Sequence, residues 1–266
     1  MLKVSIVQTA LFWEEREKNL SALSNQLQNI SNSDLIILPE MFSSGFTMNA
    51  AAVAEDMRGE SVTWMKKIAK EKNCTICGSL VIKENSGFYN RLVVVDENEN
   101  IHYYDKKHLF RMSEENNVYT PGNKPLTIRI KGWNVRFFVC YDLRFPIWCR
   151  NKFTTDTKSI ESIEYDLAVF VANWPERRSI AWKTLLQARA IENHCYVVGV
   201  NRIGSDGNNI PYSGDSAVLN FLGERVSNTK PHENSVETVE LSREKLTEYR
   251  TNFPVWMDAD SFTLSN

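Results

Sequence analysis

Cys140 ends an apolar, aromatic and β-branched run, VRFFVCYDLRFP (135–146), and is followed at once by Tyr141, Asp142 and Arg144. That pattern puts a thiol at the tip of a buried strand, where the backbone turns outward. A thiol so placed is reachable by a small ligand, and neighbouring charges can adjust its pKa. The alternative is a plain core role, since free cysteine is among the most buried residue types. Three other runs end in the same way. DLIILPE (34–40) stops at Glu40, IHYYDKKH (101–108) at Lys106, Lys107 and His108, and DLAVFVANWP (166–175) at Asn173, Trp174 and Pro175. Ligands of open α/β sheets bind outside the carboxyl ends of the strands. A carboxylate, an amine, a thiol and an amide at four such ends therefore imply one shared rim. A thiol with a carboxylate base and an ammonium is a complete set for attack on a carbonyl.

The elements that must position these groups alternate. LKVSIVQ (2–8) reads as a strand, followed by a helix near 14–30 with Leu20, Leu23, Leu27 and Ile30 on one face. DLIILP (34–39) is the next strand, and a helix over about 61–73 presents Trp64, Ile68 and Lys72 at helical spacing. CTICGSLVI, RLVVVD and IHYYD, the last two joined by the polar turn DENEN, predict an antiparallel meander. A short helix follows the Cys140 strand, and the polar FTTDTKSIES (153–162) reads as a surface loop. A strand at 166–171, a helix at about 178–192, and strands near 195–201, 214–220 and 234–240 complete the chain. No repeat, low-complexity tract or Gly/Pro-rich linker divides it, so residues 1–266 are expected to form a single domain. The alternation with an inserted meander predicts mixed sheets covered by helices. By itself it leaves a doubly wound sheet and a layered arrangement both open.

Composition excludes several classes. A net charge of −2 over 266 residues gives no reason to expect nucleic acid or an anionic membrane as partner. Five cysteines in a chain this long do not read as a disulfide framework. The apolar runs are of strand length, so no membrane span is expected. MLKVSIVQ enters a strand directly, without signal-peptide architecture, and cytoplasmic residence is the default expectation.

LPE (38–40), the lysine of Lys106-x-His108-Leu109-Phe110, and CYDLRFP (140–146) resemble the three signature blocks of the nitrilase superfamily of carbon–nitrogen hydrolases, in the family's order and over about residues 3–240. MFSSGF (41–46), KKHLFRM (106–112), ANWPERR (172–178), LLQARAIENHCYVVGVNRIGSDG (185–207) and YSGDS (212–216) are similar to its ω-amidase branch. The resemblance implies an α/β fold, a four-layer α-β-β-α sandwich, paired as a homodimer or higher homo-oligomer. It implies release of ammonia from the terminal amide of 2-oxo-dicarboxylic acid monoamides such as 2-oxoglutaramate. The rivals are an N-carbamoyl amino acid or aliphatic amide hydrolase with the same triad, and a non-catalytic binding protein on the same fold.

On this reading Cys140 attacks the amide carbonyl, Glu40 takes the thiol proton and later activates water, and no metal or organic cofactor is needed. Since a thiol's ordinary pKa is about 8.5, an ammonium at Lys106 is expected to favour the thiolate. Lys106 and the backbone N–H of Tyr141 stabilise the oxyanion, at about 3–4 kcal/mol per donor. Lys106 rather than Lys107 fits the family's lysine-x-histidine spacing, and the two face opposite ways on a strand. Some family members carry a second glutamate beside the lysine, a position that Glu115 matches better than Glu114. A substrate carboxylate would need a guanidinium, for which Arg144, Arg177 and Arg178 are available, with Phe42, Phe46 and Trp174 as apolar walls and Asn173 on the rim. Arg144 has a structural alternative, an ion pair with Asp142 or Glu192. Cys74-x-x-Cys77, a lone CxxC in a predicted strand, reads as core, as do Cys149 and Cys195, and His108 reads as a packing neighbour of the lysine. His194 reads as a helix-end residue where a cation suits the dipole, with Asn193 capping the same end.

Overall fold

The computed structural model describes residues 1–152, 160–260 and 262–263. The first half of the chain runs β1 (Leu2–Gln8), α1 (Arg16–Leu27), β2 (Leu35–Ile37), α2 (Ala50–Val53), α3 (Glu60–Lys72), β3 (Thr75–Glu84), β4 (Gly87–Val95), β5 (Ile101–Asp105) and α4 (Glu115–Val118). The second runs β6 (Leu126–Ile130), β7 (Trp133–Val139), β8 (Leu167–Ala172), α5 (Ser179–Asn193), β9 (Tyr196–Asn201), β10 (Ile203–Ser205), β11 (Pro211–Ser213), β12 (Ala217–Leu219), β13 (Ser235–Leu241) and α6 (Arg243–Asn252).

Two large sheets form, ordered β13-β1-β2-β3-β4-β5 and β12-β9-β8-β7-β6, beside a β10-β11 ribbon. One face of each sheet packs on the other. Val4, Ile6, Leu35, Ile37, Leu92 and Val94 meet Val135, Phe137, Val139, Val169 and Val171 in one core. Alternate residues of the first sheet, Ile36, Ile76, Val93 and Val95, face outward onto Leu20, Leu23 and Leu27 of α1 and Val62, Met65, Ile68 and Ala69 of α3. Trp182, Leu186 and Ala190 of α5 cover the second sheet. This is the α-β-β-α layering expected, and it follows from period-2 alternation, which gives each strand two apolar faces to bury. No helix among the described residues is long and apolar enough to cross a membrane.

Strand direction brings the rim together. β1, β2 and β3 are parallel, and β5 returns to that direction after antiparallel β4. β7, β8 and β9 are parallel in the second sheet. The carboxyl ends of β2, β5, β7 and β8 therefore deliver Glu40, Lys106, Cys140 and Asn173 to one edge of the sandwich.

Several local expectations shift. The buried stripe of α3 is Ser61, Val62, Met65, Ile68 and Ala69, not the line through Trp64 and Lys72. Lys72 lies at the flank, donating to the carbonyls of Gln28 and Ile30. The strand expected over 214–220 shrinks to three residues because Gly214 and Asp215 both adopt positive φ. The loop expected at 153–162 falls largely outside the described residues. His194, in the left-handed conformation that ends α5, is not the expected cation. Burial and the neighbouring Arg250 and Arg150 lower its pKa to about 4, leaving it neutral at pH 7. Asn193 does act at that helix end, its Nδ2 donating to the Arg189 carbonyl.

Candidate active site

Lys106 is the hub. It follows β5 with 1% of its surface exposed, and its Nζ lies 2.9 Å from Glu40 Oε1 and 3.0 and 2.9 Å from Glu115 Oε1 and Oε2. Both glutamates are fully buried. Burial alone would lower the ammonium's pKa, but the Glu115 and Glu40 carboxylates overcome that and hold it above its ordinary value. One forked N–H can serve both Glu115 oxygens, which leaves a third N–H for a substrate oxygen. Lys107 points elsewhere, half-buried, with its ammonium 5.5 Å from the centroid of Trp148.

Glu40 is held from both sides. Its Oε2 accepts the Asn173 backbone N–H at 2.7 Å, and its carbonyl accepts Asn173 Nδ2 at 2.5 Å. Asn173 thus lines the rim chiefly as a clamp on Glu40. Its neighbour Met41 sits at φ +44° and Cys140 at φ +43°, left-handed conformations costing about 1–2 kcal/mol each for non-glycine residues. That strain turns both chains sharply as they leave the sheets. The Cys140 turn is pinned by Asp142, whose carboxylate accepts from Val139 N (3.0 Å), Tyr104 Oη (2.7 Å) and His108 N (3.0 Å) and contacts His108 Nδ1 at 2.7 Å. Asp142 therefore ties the lysine loop to the cysteine turn, and His108, stacked on Phe145, belongs to that tie. His108 is thus the packing neighbour of the lysine expected, while the anchoring role of Asp142 was not foreseen.

The Glu40 carboxylate faces the Cys140 thiol. Burial first and then Glu40 push the thiol pKa well above its ordinary value, while Lys106 opposes them. Lys106 favours the thiolate, as expected, but burial and Glu40 outweigh it. Burial, with two carboxylates against one ammonium, favours the neutral thiol, which must lose its proton as it attacks.

Cys140 opens on a cavity of about 520 Å³ lined by Phe46, Tyr141, Arg144, Trp174, Arg177 and Arg178 among others. Phe46 contacts the hub, its ring centroid 5.1 Å from Lys106 Nζ. Phe42, expected as a wall, is instead fully buried in the outer core, 5.8 Å from the Trp64 ring and packed on Gly78. It points to the opposite side of the chain from Glu40, behind the first sheet. The Arg144 guanidinium lies 4.7 Å from the Trp174 ring centroid and that of Arg178 5.2 Å from Phe110. Asp142 and Glu192 are occupied by other partners, so the structural ion pair considered for Arg144 does not form. Among the described residues none of the three arginines has a carboxylate partner. Burial and mutual repulsion with Arg177 and Arg144 lower the pKa of Arg178. The cavity's own carboxylates are engaged, Glu14 with Thr47 and Asn49 and Asp206 with Tyr212. Cys74, Cys77, Cys149 and Cys195 are free and buried, away from this wall.

Two packed sheets bring a buried glutamate, lysine and cysteine to one shared edge, the residue set that the resemblance to carbon–nitrogen hydrolases implied. The chain belongs to the carbon-nitrogen hydrolase family, which it matches over residues 3–251. It is 45% identical to the omega-amidase YafV of Escherichia coli (strain K12), over 99% of this chain and 98% of that one. It is 32% identical to the 2-oxoglutaramate amidase of Bacillus subtilis (strain 168), over 85% of each. Among solved structures it is similar to XC1258 from Xanthomonas campestris, a CN-hydrolase superfamily protein, with a TM-score of 0.95, 43% identity and 99% of both chains covered.

Proposed function

We propose that the protein hydrolyses the terminal amide of 2-oxo-dicarboxylic acid monoamides, 2-oxoglutaramate and 2-oxosuccinamate, to the dicarboxylate and ammonia. The observation that carries this reading is the cavity wall of three guanidinium groups without carboxylate partners, facing a thiol. Uncompensated like charges are costly in a partly dry cavity, and a ligand carboxylate relieves them while forming charge-assisted hydrogen bonds. The omega-amidase and 2-oxoglutaramate amidase relatives support the same substrate class.

The geometry supports the following chemistry. Cys140 Sγ bonds to the amide carbon as its proton passes to Glu40, and the carbonyl electron pair moves onto oxygen beside Lys106 and the Tyr141 N–H. Glu40 returns the proton to nitrogen, the C–N bond breaks and ammonia leaves a thioester. Water, losing a proton to Glu40, then attacks the thioester, and the thiol is restored as the acid departs. Glu115 is the second counter-charge to Lys106, its pKa raised by burial against the pull of that ammonium.

Ammonia release over 2-oxoglutaramate, 2-oxosuccinamate, glutamine, asparagine, N-carbamoyl-β-alanine and a simple nitrile tests the reading. The 2-oxo acids should give the highest kcat/KM. A preference for carbamoyl or simple aliphatic amides would replace the substrate assignment. The proposal includes a homodimer in the cytoplasm. Ile180 and Ile191 on one face of α5, with Leu222 beside them, are 80%, 46% and 47% exposed, an apolar stripe suited to a second copy. Five free cysteines suit a reducing compartment. Light scattering and cell fractionation are the measurements.

A further inference from the structure

We infer that Asn90, unused in the reading above, is a positioning residue that dictates which carboxylate oxygen receives the thiol proton. It sits on β4, fully buried, with Nδ2 2.8 Å from Glu40 Oε1 and 3.0 Å from Glu115 Oε1. Its Oδ1 accepts the Ser79 hydroxyl at 2.8 Å, and that hydroxyl oxygen accepts Met41 N at 2.8 Å. This relay leaves the amide a single orientation. Met41 N–H occupies the Ser79 oxygen, the Ser79 hydrogen must go to Asn90, and both Asn90 N–H groups must face the carboxylates. The Asn90 carbonyl also accepts Lys106 N at 3.0 Å, so one residue touches Glu40, Glu115 and Lys106.

Counting acceptor directions shows the consequence. A carboxylate oxygen accepts about two hydrogen bonds. Glu115 Oε1 takes Asn90 and Lys106, and its Oε2 takes Lys106 and the Phe110 N–H at 2.6 Å, so all its positions are filled. Glu40 Oε1 takes Asn90 and Lys106, and its Oε2 takes Asn173 N and keeps one position free. The S–H bond therefore breaks toward Glu40 Oε2 while Sγ bonds to the carbonyl carbon. Glu115, with both oxygens on the same ammonium and no acceptor position free, is not placed to take that proton. Without the amide, both Oε1 atoms open, and the proton can settle unproductively on Glu115.

The other titratable groups facing this cluster are Cys140, Tyr119 from the end of α4, Tyr212 from β11, Arg178 and, beyond Tyr119, Glu14. Both phenols are held above their ordinary value, chiefly by burial, which raises the Glu115 carboxyl as well. The inference rests on Cys140 and Glu40 as nucleophile and base, and not on which amide is cleaved. The test is the pH dependence of two rates in the full-length protein, ammonia release from 2-oxoglutaramate and alkylation of Cys140 by iodoacetamide. In Asn90→Leu the acid limb of both should move up by about one to two pH units, the size of one charge-assisted hydrogen bond lost from the ionised form. At pH 6 and below kcat should fall with KM within about threefold. Ser79→Ala, which frees the amide to turn, should shift both limbs in the same direction by less. Acid limbs at the wild-type pH in folded Asn90→Leu overturn the inference, however far kcat falls. Should that variant not fold, unmoved limbs in Ser79→Ala overturn it equally. Because alkylation needs no amide, it reads the base even if 2-oxoglutaramate is not the substrate.

Discussion

Replacing Lys106 by Met separates what the ammonium does for the fold from what it does for the reaction. In the wild type Nζ touches three carboxylate oxygens at 2.9–3.0 Å in a site closed to solvent. Its loss leaves the fully buried Glu40 and Glu115 carboxylates without a counter-charge, held only by the Asn90 amide and the backbone N–H groups of Asn173 and Phe110. Breaking a buried pair by removing one partner costs about 3–5 kcal/mol. Because Lys106 is held above its ordinary pKa, its contribution is complete below the unfolded-state value of about 10.4 and is lost only as pH rises through the folded value. Urea unfolding at pH 7 therefore reads it in full. The lost oxyanion donor removes a further ~3–4 kcal/mol from the transition state, about a hundred- to a thousandfold in kcat. Adding Glu115→Gln leaves one buried carboxylate instead of two, so the double variant should recover most of the stability and none of the rate. Lys107→Met loses only a contact 5.5 Å above Trp148, within about 1 kcal/mol, and should keep its kcat. The assays are ammonia release and urea unfolding on all four proteins. The reasoning fails if Lys106→Met keeps more than about a tenth of kcat, or if rate returns together with stability in the double variant.

Three further outcomes are expected. Cys140→Ala should keep the fold, since a small side chain is exchanged for a smaller one at an already strained turn, and should retain under about 1% of ammonia release; Cys140→Ser should be nearly as inactive because a hydroxyl is far harder to ionise. Among Arg144→Ala, Arg177→Ala and Arg178→Ala, at least one should raise KM for 2-oxoglutaramate by roughly ten- to a hundredfold, the value of a charge-assisted hydrogen bond, while an uncharged short amide barely notices; equal effects on both substrates in all three would make these arginines structural. His194, with its folded pKa lowered to about 4, supports stability that is complete above its unfolded value near 6.5 and is lost as pH falls toward 4, up to about 3 kcal/mol. His194→Asn, which tolerates the left-handed conformation, should flatten the urea-midpoint difference between pH 7 and pH 4.5, and an unchanged slope would place that acid sensitivity elsewhere.

What could be read along the chain is what local physics controls. Apolar runs of β-branched and aromatic residues that stop at a polar group mark strand ends, and so Glu40, Lys106, Cys140 and Asn173 stood out before any fold was known. The motif blocks then supplied their order and the choice of Lys106 over Lys107. Period-2 alternation is also local, which is why the sheets and their covering helices were legible to within a few residues. Phe42 shows where this stops. One turn past Glu40 it had every quality of a cavity wall, yet the close approach of Gly78 gives it a slot on the far side of the sheet. Asn90 and Ser79 lie mid-strand on neighbouring β3 and β4, where no break in pattern announces a polar relay. The charge state of Cys140 was beyond reach for a further reason. It is the balance of burial, two carboxylates and one ammonium brought from positions 40, 106 and 115, and such a sum exists only once the strand ends meet. Sequence sets the groups and the strand that carries each; the distances between them, on which Coulomb energy and proton transfer depend, belong to the packed sandwich.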